Sequence, residues 1–307
     1  MRNLSIDYLK VALALSVVLL HLNFLRVDLP ELGFILVNGV FRLAVPLFLI
    51  ITGYYFTQIT TLGKFKSWFF RILILYVIWM IFYLPYWFNP NDLLRTLLDI
   101  PIGYFVLWYL AGVIIGGSLL FFCRNMDSKY LLILAVFLYL VGYLLQQIGN
   151  LHIFTGIVDK LLNWYPISRN FLFNCFPLLA IGFVIKNKDL DLKINISLGM
   201  VLFSIFLVIW ESYMNYRFIS VDESLDHLLT ILIVAPIIFI YVKNIKIMGN
   251  NKNLALFSTA IFLIHPFFIN VQSILSIEIS KALFVLISSL IAGWILVLLN
   301  KKLKYLL

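Results

Sequence analysis

Residues 5–25 read SIDYLKVALALSVVLLHLNFL, a stretch in which Asp7, Lys10 and His21 are the side chains able to carry charge at neutral or mildly acidic pH. A membrane-crossing helix takes about 20 mainly apolar residues, and this stretch meets that length. It is long for a cleaved leader and lacks a small-x-small cleavage site, so it reads as a retained first helix. Comparable runs recur near 34–58, 67–88, 103–123, 130–147, 170–186, 192–213, 226–242, 254–275 and 281–300. The expectation is an all-α polytopic membrane protein of about ten transmembrane helices. Residues 1–307 are read as one transmembrane domain, with no further domain after Leu307.

Composition agrees. The chain is 63% hydrophobic and 12% charged, with a mean hydropathy of +1.04, whereas soluble domains are about 25% charged. Trp68, Trp79, Trp87, Trp108, Trp164 and Trp210 lie towards the ends of apolar runs, where amphipathic rings suit the headgroup layer. The net charge of +9 does not point to nucleic acid, because the basic residues form no single face. Lys64, Lys66 and Arg71, then Arg124 and Lys129, then Lys186, Lys188 and Lys193, then Lys243, Lys246 and Lys252, and finally Lys301, Lys302 and Lys304 fall in alternate connections. That alternation predicts both termini in the cytoplasm. Cys123 and Cys175 have no metal-site or disulfide spacing and read as small hydrophobes, and no metal is expected.

Ionisable residues inside a span cost free energy and are functional candidates. From Lys10 to His21 is a step of about 1100°, within about 20° of whole turns, so both lie on one face about 16 Å apart along the axis. Asp7, three residues before Lys10, joins that stripe. In the second span Arg42 enters at a depth comparable with His21, and Pro46 is expected to bend the helix and free a carbonyl beside a cavity. Taken singly these residues have blander readings. Lys10 and Arg42 can snorkel to an interface, and His21 can be a helix–helix contact. His265, just before Pro266, reads as packing at a kink. His152 and His227 read as solvated surface. The shared face of Asp7, Lys10 and His21 favours a functional stripe.

These residues resemble a known family. Asp7-Tyr8-Leu9-Lys10, ten residues, then His21 is similar to the opening motif of the membrane-bound acyltransferase-3 family. Arg42-Leu43-Ala44-Val45-Pro46-Leu47-Phe48 with Thr52-Gly53-Tyr54 resembles its second element. Leu107-Trp108-Tyr109-Leu110 and Arg169-Asn170, with Phe176-Pro177 and Gly182, resemble later segments in family order. Lys10 stands where many members have Arg, Thr52 where Ser is usual, and Val106 where many relatives have His.

The resemblance implies transfer of an acyl group, usually acetyl, from acetyl-CoA or another acyl-CoA to a hydroxyl of a cell-surface polysaccharide or its lipid-linked saccharide precursor. The implied location is the lipid bilayer of the bacterial cytoplasmic (inner) membrane. A sugar hydroxyl needs a base, and imidazole ionises in the useful range, so His21 is the expected general base; an acetyl-imidazole intermediate is the less favoured variant. Arg42 is expected to stabilise the oxyanion or hold the acceptor. Lys10 is expected to meet coenzyme A phosphates, oriented by Asp7. Trp108, Arg169 and Asn170 are the expected acceptor-binding residues. The competing readings are a transporter or flippase for a polar lipid or glycan, and a non-catalytic scaffold of a glycan-synthesis complex.

Overall fold

The computed structural model describes residues 2–275 and 280–307. The chain forms helices α1 (Ser5–His21), α2 (Pro30–Asn38), α3 (Ala44–Phe56), α4 (Leu62–Phe82), α5 (Leu84–Trp87), α6 (Leu93–Ile102), α7 (Trp108–Cys123) and α8 (Ser128–Asn150). It continues through α9 (Ile157–Leu162), α10 (Phe176–Asn187), α11 (Leu190–Lys193), α12 (Leu198–Phe218), α13 (Ile231–Asn244), α14 (Asn253–Leu275) and α15 (Lys281–Leu299). Strands β1 (Arg2–Asn3) and β2 (Met248–Gly249) pair antiparallel, Arg2 opposite Gly249. They tie the start of α1 to the start of α14 at one end of the bundle, here the base.

This is an all-α multi-pass membrane protein. Among the described residues seven helical stretches are long and apolar enough to cross a membrane, and Pro30–Phe56 counts as one of them. Three other expected spans fall on shorter helices: α1, the stretch Phe171–Asn187, and α13. Several boundaries are set by local chemistry. Thr61 accepts a hydrogen bond from the Lys64 amide at 3.3 Å and starts α4. Asp127 does the same for Lys129 ahead of α8, at 2.7 Å, and Ser197 for Met200 ahead of α12, at 3.3 Å. Each satisfies an amide that has no partner within its helix.

The second span departs from expectation. Pro30–Phe56 is not one bent helix: α2 ends at Asn38, Gly39 turns the chain, and a 3₁₀ turn, Val40–Leu43, carries Arg42. Proline has no N–H and its ring clashes with the carbonyl four residues back, here that of Arg42. The helix therefore restarts at Ala44, putting Pro46 in the first turn of α3, where its missing N–H costs nothing. Helix α13 also starts later than the expected 226, at Ile231, because side chains rather than helix bonds hold the backbone at 225–227.

At the centre, α3 crosses α10 at backbone distance. A Cβ built on Gly53 would lie 2.0 Å from the Leu179 carbonyl oxygen, and one on Gly182 would lie 2.1 Å from that of Ile50. The glycines exchange places across the contact, the small-residue packing that lets helices approach in a membrane. Helix α1 lies along α14, which in turn packs against α15.

Candidate active site

His21 ends α1. Its Nδ1 lies 2.9 Å from the Val17 carbonyl. A carbonyl oxygen can only accept, so Nδ1 carries the proton and Nε2 is left as a lone pair. The ring touches Phe105, with centroids 4.7 Å apart, and His265, at 5.3 Å. His21 forms part of the wall of a cavity of about 560 Å³ at the end of the bundle away from the base, together with Arg26, Arg42, Arg95, Asp99, Tyr165 and Arg169.

The break before α3 aims Arg42 at this cavity. Its Nη1 is ion-paired with Asp226, and its Nη2 donates to Asn38 at 3.2 Å. Arg169 Nη1 donates to the same Asp226 oxygen at 3.3 Å, and its guanidinium lies over the rings of Tyr165 and Trp108, at 4.6 and 5.2 Å. Asp226 is held by its backbone. The amide oxygen of Gln146 accepts from the Asp226 and His227 amides at 2.7 and 2.8 Å, its Nε2 donates to the His227 carbonyl at 2.8 Å, and Asn38 accepts from the Leu225 amide at 3.3 Å. Burial works to raise the Asp226 carboxyl, but Arg169 and Arg42 outweigh it and hold the group below the ordinary carboxylate range. At the cavity wall, Asp99 is raised by burial, with Arg95 opposing.

The structure brings together His21, Arg42, Arg169 and Trp108, which also meet at a smaller chamber of about 40 Å³ between the arginines and His21. Asn170 sits beside Arg169 but is occupied with backbone. Its Oδ1 accepts from the Leu172 and Phe173 amides at 2.8 and 2.9 Å, and its Nδ2 donates to the Pro166 and Ile167 carbonyls at 3.1 and 2.9 Å. It caps a π-helical turn, Phe171–Cys175. Such turns recur at functional sites. Lys10 lines a separate cavity of about 150 Å³ nearer the base, with Thr52, Tyr109, Ser258 and Thr259. Asp7 is buried in the first turn of α1.

One histidine differs from expectation. His227 is fully buried rather than solvated: Nε2 donates to the Phe173 carbonyl at 3.2 Å, the ring packs on Tyr139 at 4.9 Å, and burial pushes the imidazole down to about 4. His265 packs within the proline-containing α14, its ring against those of His21 and Phe262. His152 is exposed, with Asp159 at 3.0 Å.

Sequence reasoning missed Asp226, Gln146 and the proximity of His265. The available signal was an acid at the rim of an apolar run with a buried arginine elsewhere lacking a partner. Among the described residues no cluster of His, Cys, Asp and Glu is arranged to hold a metal ion.

Comparison with known proteins adds a family. The acyltransferase-3 profile, described as an acyltransferase domain, matches residues 3–298. The chain is 25% identical over 329 aligned positions to an amino-acid racemase of Enterococcus faecalis, covering 98% of the chain and 47% of that protein. It is 25% identical over 306 positions to a serine/alanine racemase of Enterococcus gallinarum, covering 91% of the chain and 43% of that protein. The chain thus spans less than half the length of these curated relatives. No solved structure matches it.

Proposed function

Because the chain belongs to the acyltransferase-3 family, we propose that it transfers an acyl group, most simply acetyl, from acyl-CoA to a hydroxyl of a cell-surface polysaccharide or its lipid-linked precursor. The observation that carries this reading is the state of His21. Its Nδ1–H is spent on Val17, its Nε2 lone pair is available, and it stands on the wall of a polar cavity beside Arg42 and Arg169. An imidazole so fixed can take the hydroxyl proton as the oxygen attacks the thioester carbonyl. The guanidinium of Arg42, steadied by Asp226, is the donor for the negative charge that develops on the carbonyl oxygen.

The donor enters from the base, which on this reading faces the cytoplasm of a bacterial inner membrane. Lys10, one helix face and about 16 Å away from His21, meets coenzyme A phosphates in the Lys10 cavity, and the pantetheine arm spans the interval. Trp108 and Arg169 hold the acceptor. The racemase names of the relatives belong to proteins of more than twice this length and supply no acceptor.

The test is mass spectrometry of surface glycans from cells with the intact gene, without it, and with His21→Ala. The expected result is one acyl increment per modified sugar in the first case alone, with labelled acetyl transfer from acetyl-CoA in membrane vesicles falling at least about 100-fold in the variant. Unmodified glycan that nonetheless changes sides of the membrane would replace this reading with transport.

A further inference from the structure

We infer that His265 is the second base of the site, forming with His21 an imidazole pair that holds the proton leaving the acceptor hydroxyl. This rests on the reading of His21 as general base and adds a residue to it.

The two rings come from different helices, α1 and α14, with centroids 5.3 Å apart and planes inclined by 38°. Each is pinned in the same way. His21 Nδ1 bonds the carbonyl of Val17, and His265 Nδ1 bonds that of Ile261 at 3.2 Å, in both cases four residues back on its own helix. Both protons are thereby placed on Nδ1, and both Nε2 atoms are lone pairs. His265 is fully buried and its Nε2 has no hydrogen-bond partner. Unpartnered buried nitrogens are uncommon because the lost solvation is not repaid. A packing role would be met by any ring of that size, and leaves this nitrogen unexplained. A proton arriving on His21 Nε2 would supply the donor that His265 lacks.

The pair also sits at a boundary. His265 packs on Phe262, with centroids 6.3 Å apart, and Phe262 with Phe48 and Tyr109 walls the Lys10 cavity. The imidazoles thus lie in the septum between the two cavities, His21 facing the polar cavity and His265 buried behind it. The charged and titratable groups acting on His21 are His265 on α14, Arg42 on the 3₁₀ turn and Arg169 before the π turn, the two arginines being tied to Asp226, while Arg26, Arg95, Asp99, Tyr104, Tyr165 and Asp222 line the same cavity. Asp226, the carboxylate that shares the small chamber with His21, is committed to Arg42 and Arg169, so the proton is shared by the second imidazole.

The step balances. The acceptor O–H bond breaks, its proton passing to His21 Nε2 while oxygen bonds to the thioester carbon. The new N–H is held by the His265 Nε2 lone pair. When the C–S bond breaks, the leaving thiolate takes that proton, giving free coenzyme A and two neutral imidazoles.

The test uses the purified full chain in detergent. Modification of His21 by diethyl pyrocarbonate, which attacks neutral imidazole, is followed against pH by mass spectrometry of the His21 peptide. This is done in wild type, His265→Phe and His265→Gln, with gel filtration selecting folded variants and Gln standing in if Phe does not fold. If His265 shares the proton, it stabilises protonated His21. Its loss then moves the midpoint of His21 reactivity to lower pH by about one pH unit, the coupling expected of interacting sites. A midpoint that stays or moves to higher pH, as when two imidazoles merely crowd each other, overturns the inference. The readout needs no acyl acceptor, so wild-type protein that transfers no acetyl counts against the proposed function and not against the pair. Where transfer is measured, the pair predicts a fall in kcat and a matching displacement of its pH profile in the same variants, with KM for acyl-CoA unchanged.

Discussion

Arg42 and Asp226, 184 residues apart in the chain, are ion-paired at the edge of the His21 cavity, and Arg169 donates to the same carboxylate oxygen. One buried carboxylate therefore anchors two guanidinium groups. Removing one partner of such a set is worse than never having built it, because uncompensated charge stays buried, at a cost of about 3–5 kcal/mol. Asp226→Ala is expected to lower the melting temperature of the solubilised protein clearly and to abolish acyl transfer. The pair Asp226→Asn with Arg42→Gln should cost less than the sum of the single changes, by about 0.5–3 kcal/mol. Additive losses in that cycle would mean that the two side chains do not depend on each other.

That relationship also marks the limit of what the sequence discloses. Helical stretches are legible because hydrophobicity acts locally: each of the expected apolar runs overlaps a helix or, at 34–58, the broken pair α2 and α3. His21 and Arg42 stand out because ionisable groups in apolar runs are expensive. Asp226 does not, since an acid at the end of an apolar run looks solvated until Gln146 and Asn38 are seen holding its backbone in place. His227 is hidden for the same reason. Proline at 46 announces an interruption, but whether it bends a helix or begins one depends on Gly39 and on the site that Arg42 must reach.

The crossing of α3 and α10 gives a sharp packing prediction. Gly53→Ala would drive a methyl group to 2.0 Å from the Leu179 oxygen, a backbone atom that cannot swing aside. Loss of monodisperse protein on detergent gel filtration is expected, and Gly182→Ala, which meets the Ile50 oxygen at 2.1 Å, should behave alike. Gly63, with open space around it in the first turn of α4, is the control. Gly63→Ala should be neutral or stabilising by up to about 1 kcal/mol, since alanine loses less backbone entropy in a helix. Normal folding of Gly53→Ala would show that the two helices can separate.

Lys10 separates donor binding from chemistry. It lines the cavity near the base while His21 lines the one at the other end. If it meets a coenzyme A phosphate, Lys10→Ala removes a charge-assisted contact worth about 1.5–3 kcal/mol. KM for acyl-CoA should then rise about 10- to 100-fold with kcat little changed, and Lys10→Arg should restore most of the affinity. A fall in kcat at constant KM would place Lys10 in the reaction rather than in donor binding.

Asn170 is expected to act through Arg169. Its amide satisfies two backbone N–H groups and two carbonyls around the π turn, and that set fixes the direction in which the preceding residue, Arg169, leaves the chain. Asn170→Ala removes a helix cap worth about 0.5–2 kcal/mol and frees the loop that presents Arg169 to Asp226. Asn170→Asp keeps the acceptor oxygens and loses both donors, so it should retain the cap and lose the hold on Pro166 and Ile167. The expected order is wild type, then Asp, then Ala, in melting temperature and in KM for the acceptor alike, with KM for acyl-CoA unaffected. If the order in acceptor KM does not follow the order in stability, Asn170 contacts the acceptor directly, and the amide must leave its backbone partners to do so.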